Sequence, residues 1–262
     1  MSEIVGVVGA GRMGLPIIGH LVRAGFRTLA SDIDPKKRAE VEKRGAEWQP
    51  QLSGQCDVIL VCVGFDREVV ELLQRGLAPR RGGIVAILST VHPETVQELA
   101  SKTSGMHVID STVCRGGEAA DKGTLLSFVG GPAEVVARIT PVLRAYSSDV
   151  VHTGEVGSAQ VAKAVNNLIL WACLVADHEG LALAKRYGVD AEKLRQALLM
   201  SSATNDALEK WGRQTMAWAE DDMAIVAAMA EKRGIALPQA AVTREICRAL
   251  KPRRYKLDDY GA

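Results

Sequence analysis

The sequence is poor in aromatic residues, which make up 4% of its 262 positions. A core with few large rings must be filled by Val, Leu, Ile and Ala, as in a parallel sheet covered by closely packed helices. The scarcity of rings also argues against a surface that stacks nucleic-acid bases. An excess of one charge is lacking too, because 32 basic residues face 31 acidic ones. The chain therefore has no overall field that would gather nucleic acid or anionic lipid.

Paired cysteines and long apolar runs are also missing. The five cysteines are scattered, with no CxxC pair and no cluster of His and Cys at metal-ligand spacing. This pattern argues against a disulfide framework or a metal site and favours reduced thiols in the cytoplasm. No signal-peptide pattern precedes the first apolar strand, and the longest clean apolar run, 168–176, is too short to span a bilayer. We expect a cytoplasmic protein with no membrane or nucleic-acid partner.

The first 150 residues alternate short β-branched runs with amphipathic stretches. Such alternation indicates βαβ units and a mainly parallel sheet. After Asp110 the pattern changes, and we expect a polar, glycine-bearing loop there. The predicted strands are 4–8, 28–30, 58–63, 84–88, 108–109, 125–129 and 150–152, and the predicted helices are 12–24, 35–44, 67–75, 94–103 and a stretch that ends near 145.

From residue 158 onward the sequence predicts only helices. Ala, Leu, Glu and Lys dominate, and the breaks fall at glycine, serine and proline. The predicted helices are 158–186, 190–200, 204–218, 221–233 and 238–249. We place the domain boundary after residue 153, which gives an α/β domain over 1–153 and an all-α domain over 154–262.

The strongest motif is a glycine-rich turn between the first strand and the first helix. Gly9, Gly11 and Gly14 have GxGxxG spacing: the first makes a tight turn, the second lets the backbone approach a pyrophosphate, and the third lets helix and strand pack closely. The helix N-terminus adds donors for phosphate. A glycine-rich turn without a ligand is the alternative. We predict a Rossmann-type domain that binds a dinucleotide through Gly9, Ala10, Gly11, Arg12, Met13 and Gly14.

An acidic residue stands at the end of the next predicted strand. The carboxylate of Asp32 can accept hydrogen bonds from both ribose hydroxyls of NAD and would repel the extra phosphate of NADP. Ile33 follows, where an NADP-binding protein often has arginine. A loop or cap aspartate is the alternative for Asp32, although Asp34 is the better cap. We assign Asp32 and Ile33 to the cofactor site and expect NAD, while the basic run 36–38 keeps NADP as an alternative.

A second motif lies at the start of the long predicted helix. Lys163 and Asn167 are one turn apart and share a face, with Asn166 alongside, in a stretch otherwise rich in Ala, Val, Leu and Ile. Burial of a lysine is costly unless its ammonium group has polar partners. Desolvation would lower its pKa toward neutrality, as proton exchange with a substrate hydroxyl requires. The alternative, which spacing leaves open, is a lysine that reaches solvent at a domain edge, with asparagines bonded between helices.

The motifs together resemble the β-hydroxyacid dehydrogenase family, typified by 3-hydroxyisobutyrate dehydrogenase and related to 6-phosphogluconate dehydrogenase. The matching segments cover nearly the whole chain in the family order. They are VVGAGRMGLP near the N-terminus, LST at 88–90, Asp110 with Gly116 and the Gly123–Thr124–Leu125 segment, the Lys163–Asn166–Asn167 segment after its two glycines, and Asp222 with Gly234, Leu237 and Pro238.

The resemblance implies NAD(P)-dependent interconversion of a small β-hydroxy acid and its semialdehyde. Lys163 would be the general acid/base, and Asn167 would hold the substrate. Val63, Gly64 and Thr90 would line the nicotinamide side of the cofactor groove. The second domain of the family is helical and often builds a homodimer or homotetramer.

One departure from the family concerns the loop that grips the substrate carboxylate. Where the family typically has Ser-Gly-Gly, this chain has Cys114, Arg115 and Gly116. The resemblance implies substrate contacts at Cys114, Arg115, Gly116, Gly117 and Asn166. Arg115 offers a planar fork for an oxyanion, as a similar arginine does in the sulfolactaldehyde reductases of the family, and suggests a sulfonate or second carboxylate on the substrate. An arginine that points to solvent or bonds Glu118 is the alternative, and we expect Cys114 to pack rather than react.

Two further departures lie in the helical domain. Asp221 replaces a lysine that usually helps hold the cofactor, and the segment 201–220 is shorter than the family's usual connection. These two departures leave an alternative function, a non-catalytic dinucleotide-binding sensor or assembly subunit with a degenerate cleft. An imine reductase is a further alternative, but relatives of that kind usually replace the lysine that is present here as Lys163.

Overall fold

The computed structural model describes residues 3–213, 216–250 and 256–260, and the chain divides into two compact units, 1–163 and 164–262. The first unit is built on one eight-stranded sheet. Its strands are β1 (Ile4–Val8), β2 (Arg27–Ser31), β3 (Glu47–Trp48), β4 (Val58–Val61), β5 (Ile84–Ile87), β6 (His107–Cys114), β7 (Leu125–Gly130) and β8 (Ser147–Gly154). The strand order is β3-β2-β1-β4-β5-β6-β7-β8.

The helices of the first unit connect these strands, and the remaining helices follow β8. Short 3₁₀ turns lie at Pro35–Lys37 and Leu257–Asp259. The helices are α1 (Gly14–Arg23), α2 (Arg38–Lys43), α3 (Asp66–Gln74), α4 (Pro93–Lys102), α5 (Gly116–Lys122), α6 (Ala133–Leu143), α7 (Ser158–Arg186), α8 (Ala191–Leu198), α9 (Asp206–Glu209), α10 (Ala219–Lys232) and α11 (Pro238–Leu250).

The central strands are apolar along their whole length because both faces of the sheet are covered. Every residue of β1, β4 and β5 is buried. Alternate residues of β1 enter different core clusters: Val5 and Val7 pack on one face, and Ile4 and Val8 on the other. This is the pattern of a parallel sheet between two helical layers, and it confirms the expected Rossmann-type α/β fold.

The sheet reverses its order between β1 and β4. Strand β1 pairs in parallel with β2 on one side and with β4 on the other, while β5 and β6 continue the parallel array. Strand β7 runs antiparallel to β6, and β8 pairs with β7 through irregular register. In open α/β sheets, ligands bind beyond the carboxyl ends of the strands at such a reversal.

Beyond Asp110 the structure differs from the sequence prediction. Strand β6 continues to Cys114 and helix α5 follows, where we expected a polar loop. Ser111 and Thr112 are polar but fully buried, and the Thr112 hydroxyl donates to the Ala159 carbonyl at 2.9 Å. Local polarity therefore gave the wrong prediction, because the hydrogen-bond partner of Thr112 lies on α7, far along the chain. The two-residue strand β3 was also not predicted.

Helices and the turns between them make up the described residues of the second unit. Its core includes Trp171, Leu174, Met223 and Cys247. The predicted helix 204–218 is wrong: α9 covers only Asp206–Glu209, and Gly212, with φ +78°, lies in the turn that follows. Residues 214 and 215 of that prediction lie outside the described residues.

Helix α7 is unusually long and apolar. Within the described ranges it is the one helix whose length and composition would allow it to cross a membrane. Core helices of soluble proteins pass the same test, so this observation is weak evidence for a membrane span. Lys163, Asn166 and Asn167 lie in its first half.

Candidate active site

Two of the three motif glycines are required by close packing. Gly9 has φ +98°, and a Cβ there would lie 2.1 Å from the carbonyl oxygen of Cys62. A Cβ at Gly14 would lie 1.9 Å from the carbonyl oxygen of Gly9. Only glycine fits at these two positions, which hold the turn against the end of β4 and draw α1 onto the turn.

The middle glycine is different, because its surroundings are open. A Cβ at Gly11 would meet nothing within 4 Å. Helix α1 begins at Gly14 without an acidic residue in its first turn and without a side-chain cap at Met13. The positive end of the α1 dipole therefore lies beside the open Gly11 backbone, an arrangement that fits a pyrophosphate.

The carboxylate of Asp32 is oriented by the same turn. Its Oδ2 accepts from the backbone N–H of Ala10 at 2.6 Å, and its Oδ1 accepts from that of Asp34 at 2.9 Å. A carboxylate has about four acceptor positions, so it retains capacity for ribose hydroxyls. Ile33 is 97% exposed, directly after Asp32. The predicted pair thus lies at the end of β2, beside the glycine turn.

Two residues of the basic run 36–38 pair with acidic residues. Lys37 Nζ lies 3.0 Å from Glu40, and Arg38 Nε lies 2.8 Å from Glu42. The hydrogen bond to Glu40 raises the pKa of Lys37 above its ordinary value. Both cations are engaged within their own helical segment.

The loops after β4 and β5 are bonded to each other. The Val63 N–H donates to the Ser89 hydroxyl at 2.9 Å. Gly64 N–H donates to Glu68, at 2.7 Å, on the first turn of α3. Thr90 follows Ser89 and is half-buried. The three residues that the resemblance assigned to the nicotinamide side therefore lie in two joined loops at the carboxyl edge of the sheet.

Arg12 connects the glycine turn to α5. Its two terminal nitrogens donate to Asp121 at 3.0 and 2.8 Å. The guanidinium occupies the space over Gly117, where a Cβ would lie 2.3 Å from Arg12 Nη2. The hydrogen bond from Arg12 lowers the pKa of Asp121. A predicted cofactor residue and a predicted substrate residue are thus in direct contact.

Lys163 reaches the end of β6. Its Nζ donates to the carbonyl oxygen of Val113 at 2.8 Å and lies 3.9 Å from Cys114 Sγ. The Lys163 side chain is half-buried and Cys114 is buried. The predicted acid/base therefore contacts the first residue of the predicted substrate loop.

The two asparagines lie on α7 within the second unit. Asn166 Nδ2 donates to Asn167 Oδ1 at 3.0 Å, and Asn167 is 4% exposed. Asn167 lies one helical turn beyond Lys163. The bond to Asn166 restrains the orientation of the Asn167 amide.

Arg115 has an unusual backbone conformation. It is the one residue other than glycine with positive φ, +83°, within the described ranges, at a position where the resemblance implies glycine. Its Nη1 donates to Asp149 at 2.7 Å, to the Ser148 hydroxyl at 2.8 Å and to the Thr124 carbonyl at 3.1 Å. Hydrogen bonds from Ser148 and Arg115 lower the pKa of Asp149.

Glu118, the other acidic residue considered as a partner of Arg115, pairs with Lys122 at 2.7 Å. Gly116, with φ +76°, follows Arg115 and begins α5. A substrate oxyanion at Arg115 would therefore compete with Asp149 for the guanidinium.

Asp110 holds the beginning of α7, a role that the sequence did not reveal. The residue is fully buried, and its two oxygens accept from the N–H groups of Gly157 at 2.7 Å and Gln160 at 2.9 Å. Burial raises the pKa of Asp110, although these N–H groups oppose the shift. An acid at the end of a predicted buried strand was the available signal.

Within the described ranges, no group of three or more His, Cys, Asp or Glu is placed to hold a metal ion.

Two family models account for almost the whole chain. The NAD-binding domain of 6-phosphogluconate dehydrogenase matches residues 4–154, more than half of the sequence. The domain described as NAD-binding of NADP-dependent 3-hydroxyisobutyrate dehydrogenase matches residues 157–262. The chain belongs to the β-hydroxyacid dehydrogenase family. This confirms the predicted family and an NAD(P) cofactor.

Individual relatives support this family membership. The 3-hydroxyisobutyrate dehydrogenase of Pseudomonas aeruginosa is 33% identical over 217 residues, which cover 79% of this chain and 72% of the relative. An NAD-dependent L-serine dehydrogenase of the same organism is 29% identical over 217 residues, covering 78% and 72%. These relationships support a dehydrogenase that acts on a small hydroxy acid.

A solved structure shares the fold over nearly its entire length. Mycobacterium tuberculosis 3-hydroxyisobutyrate dehydrogenase with L-serine superimposes with a TM-score of 0.88 at 21% identity, covering 97% of this chain and 95% of that one. The Rossmann-type domain followed by a helical domain is thereby confirmed as the fold class.

Proposed function

We propose that this protein transfers a hydride between NAD(H) and a small β-hydroxy acid or its semialdehyde, with Lys163 as the general acid/base. The observation that carries the proposal is the contact of Lys163 Nζ with Val113 and Cys114 at the end of β6. In this position the lysine lies where the substrate loop begins, at the same edge of the sheet as the glycine turn.

The proton steps follow from the hydrogen-bonding capacity of Lys163. An ammonium has three N–H donors, and one is used by the Val113 carbonyl. In the reduction, a second N–H donates its proton to the carbonyl oxygen of the substrate. In the oxidation, the neutral amine accepts the hydroxyl proton. NAD(H), when bound, supplies or accepts the hydride. The Asn167 amide orients the substrate hydroxyl, and its bond to Asn166 fixes the amide.

We further propose NAD as the preferred cofactor. Gly9 to Gly14 would hold the pyrophosphate, and Asp32 with Ile33 would bind the adenosine end. Asp32 is a charged acceptor for ribose hydroxyls, whereas Lys37 and Arg38 are paired with Glu40 and Glu42. A 2′-phosphate would have to displace those acids and approach Asp32.

For the substrate, we propose that Cys114, Arg115, Gly116 and Gly117 form the loop that contacts the acid group. Arg115 selects a second anionic group, a sulfonate or carboxylate, by exchanging Asp149 for it. The left-handed backbone conformation of Arg115 supports this role. A non-glycine residue in this conformation is strained, and strained residues cluster at functional sites. The alternative is that Arg115 serves only to pair with Asp149. L-serine, a 3-hydroxy acid used by a relative, is a further candidate substrate.

The decisive experiment is Lys163→Ala. Turnover should fall by about 10²- to 10⁴-fold, because proton transfer is lost, while NADH binding is retained. Lys102→Ala, at an exposed lysine paired with Glu98, is the control and should leave both unchanged. Near wild-type turnover in the Lys163 variant would overturn the mechanism.

The substrate class is tested with a panel of NADH-oxidation assays. The panel contains aldehydes with one carboxylate, aldehydes with a sulfonate and aldehydes with two carboxylates, together with the oxidation of L-serine. Arg115→Ala should lose preference for the aldehydes with a sulfonate or with two carboxylates, and Arg80→Ala, at a surface arginine beside Asp57, should not. An unchanged preference would remove Arg115 from substrate selection.

A non-catalytic sensor is the second candidate function, supported by Asp221 in place of lysine. Asp221 is exposed in the first turn of α10 with Glu220 and Asp222, where acids stabilise a helix N-terminus. Binding of NADH without turnover across the whole panel would favour this candidate. Turnover that depends on Lys163 would exclude it, and Lys163 also disfavours an imine reductase.

We also propose a cytoplasmic homodimer or homotetramer. Val161, Val165 and Ile169 repeat every four residues on α7 and are exposed, which makes an apolar stripe suited to a second copy of the chain. Light scattering should find an oligomer that Val165→Asp weakens. A monomeric wild-type protein would contradict this assignment.

A further inference from the structure

Gln160 is a buried amide on the first turn of α7. The side chain is 1% exposed. Its Oε1 accepts from the N–H of Val91 at 3.0 Å, and its Nε2 donates to the carbonyl of Ser89 at 2.8 Å. One primary amide thus satisfies the two backbone groups that flank Thr90.

The backbone of Gln160 is fixed at the same time. Its N–H donates to Asp110 Oδ2 at 2.9 Å, so β6 holds the helix while the side chain holds the loop after β5. Ser89 extends this arrangement, because its hydroxyl accepts from Val63 N–H at 2.9 Å. A buried polar group with every bond directed at backbone has little freedom to shift.

Lys163 lies three residues after Gln160, close to the same face of the helix. Any shift of the first turn of α7 relative to the loop around Thr90 therefore moves Lys163 relative to that loop. Displacements of about 1 Å can reduce turnover by about 100-fold in a pre-organised site. Asp110 and Thr112 hold this turn to β6, and the Gln160 side chain bonds it to the loop on both sides of Thr90.

We infer that Gln160 is a positioning residue, whose amide fixes the distance between Lys163 and the Ser89–Thr90–Val91 loop. The inference rests on the proposed function, since it takes Lys163 as the acid/base and Thr90 as part of the nicotinamide side of the groove. Gln160 itself touches backbone groups and acts through Lys163.

The test is Gln160→Met, which keeps an unbranched side chain of similar length and removes the amide. We expect kcat to fall by about 10- to 100-fold, with the KM for NADH and its dissociation constant changed by less than about threefold. The primary isotope effect with NADH deuterated at the transferred position should increase as hydride transfer becomes slower.

Gln97→Met is the matched control. Gln97 Nε2 donates to the Val156 carbonyl at 3.0 Å, so this change also removes an amide bond just before α7, but not one to the loop around Thr90. Its kcat should remain close to wild type. An equal loss of kcat in the two variants would overturn the inference.

A double-mutant comparison separates positioning from a general effect on folding. In the Lys163→Ala background, Gln160→Met should change the residual rate by less than about twofold, because the group it positions is gone. The same fold-loss in both backgrounds, or a wild-type kcat in the single variant, would overturn the inference. If the Met variant does not fold, Gln160→Glu, which retains an acceptor for Val91, carries the same comparison.

Failure of this inference is distinct from failure of the proposed function. An active Lys163→Ala enzyme would refute the acid/base role whatever Gln160 does. An inactive Lys163→Ala enzyme together with a fully active Gln160→Met enzyme would refute the positioning role alone.

Discussion

Replacing the middle glycine of the nucleotide turn should separate fold stability from cofactor binding. A Cβ at Gly11 meets nothing within 4 Å, and its φ lies outside the left-handed region, so alanine fits the free protein. If the open space beside Gly11 receives the pyrophosphate, the added methyl group lies in the path of the ligand. We therefore expect Gly11→Ala to stabilise the free protein and weaken NADH binding.

The magnitudes can be worked from these two effects. A glycine-to-alanine change at a compatible site adds about 0.4–1 kcal/mol, chiefly by reducing the entropy of the unfolded chain. For a chain of this size the melting temperature should rise by about 1–4 °C. An added methyl group in a filled contact costs about 1–3 kcal/mol, which weakens NADH binding by about 5- to 150-fold.

The assay combines thermal unfolding without ligand and fluorescence titration with NADH. Gly180→Ala is the matched control, since a Cβ there also meets nothing within 4 Å but lies far along α7. It should stabilise the fold by about 1 kcal/mol and leave NADH affinity unchanged. Gly14→Ala, whose Cβ would lie 1.9 Å from the Gly9 carbonyl oxygen, should destabilise the free protein.

Two results would refute the reasoning about Gly11. Unchanged NADH affinity in Gly11→Ala would mean that the phosphates do not approach the Gly11 backbone. A melting temperature below that of wild type would mean that the space beside Gly11 is needed for packing rather than for a ligand.

Two further substitutions test residues that bond to the nucleotide turn, Asp32 and Asp121. Asp32→Asn removes a charged acceptor, so NADH affinity should fall by about tenfold and the NADPH-to-NADH affinity ratio should rise; parallel titrations measure both. The hydrogen bond from Arg12 holds the pKa of Asp121 below its ordinary value of about 3.9. The stability gained from this pair is therefore present above that pH, and it is lost as the pH falls through the lowered pKa. The difference in melting temperature between wild type and Asp121→Asn should therefore shrink below about pH 4; a constant difference would contradict it.

The glycine turn and the long helix were predictable because their signals are local. Gly9, Gly11 and Gly14 follow an apolar run and precede an amphipathic one, and each has the surroundings that its place in the motif requires. The lysine on α7 was visible as a charged residue in an apolar stretch. Such features depend on the backbone of a few neighbouring residues.

The rest depends on partners distant in sequence. Helix α5 begins with Gly116 and Gly117, which are poor helix formers. A larger residue at Gly117 would collide with Arg12, which lies more than a hundred positions earlier in the sequence. Gln160 has no sequence neighbour that reveals its bonds to Ser89 and Val91. No periodicity could have predicted these contacts.

The two edges of the sheet also restrict how copies of the protein can meet. One edge strand, β3, has only two residues. The other, β8, pairs irregularly with β7 and presents Asp149, engaged by Arg115, on its outer stretch. Short strands, bulges and charges prevent a sheet from growing by addition of a strand from another molecule. Asp149, held by Arg115, is thus one of the charges that disfavour addition of a strand from another molecule at the β8 edge.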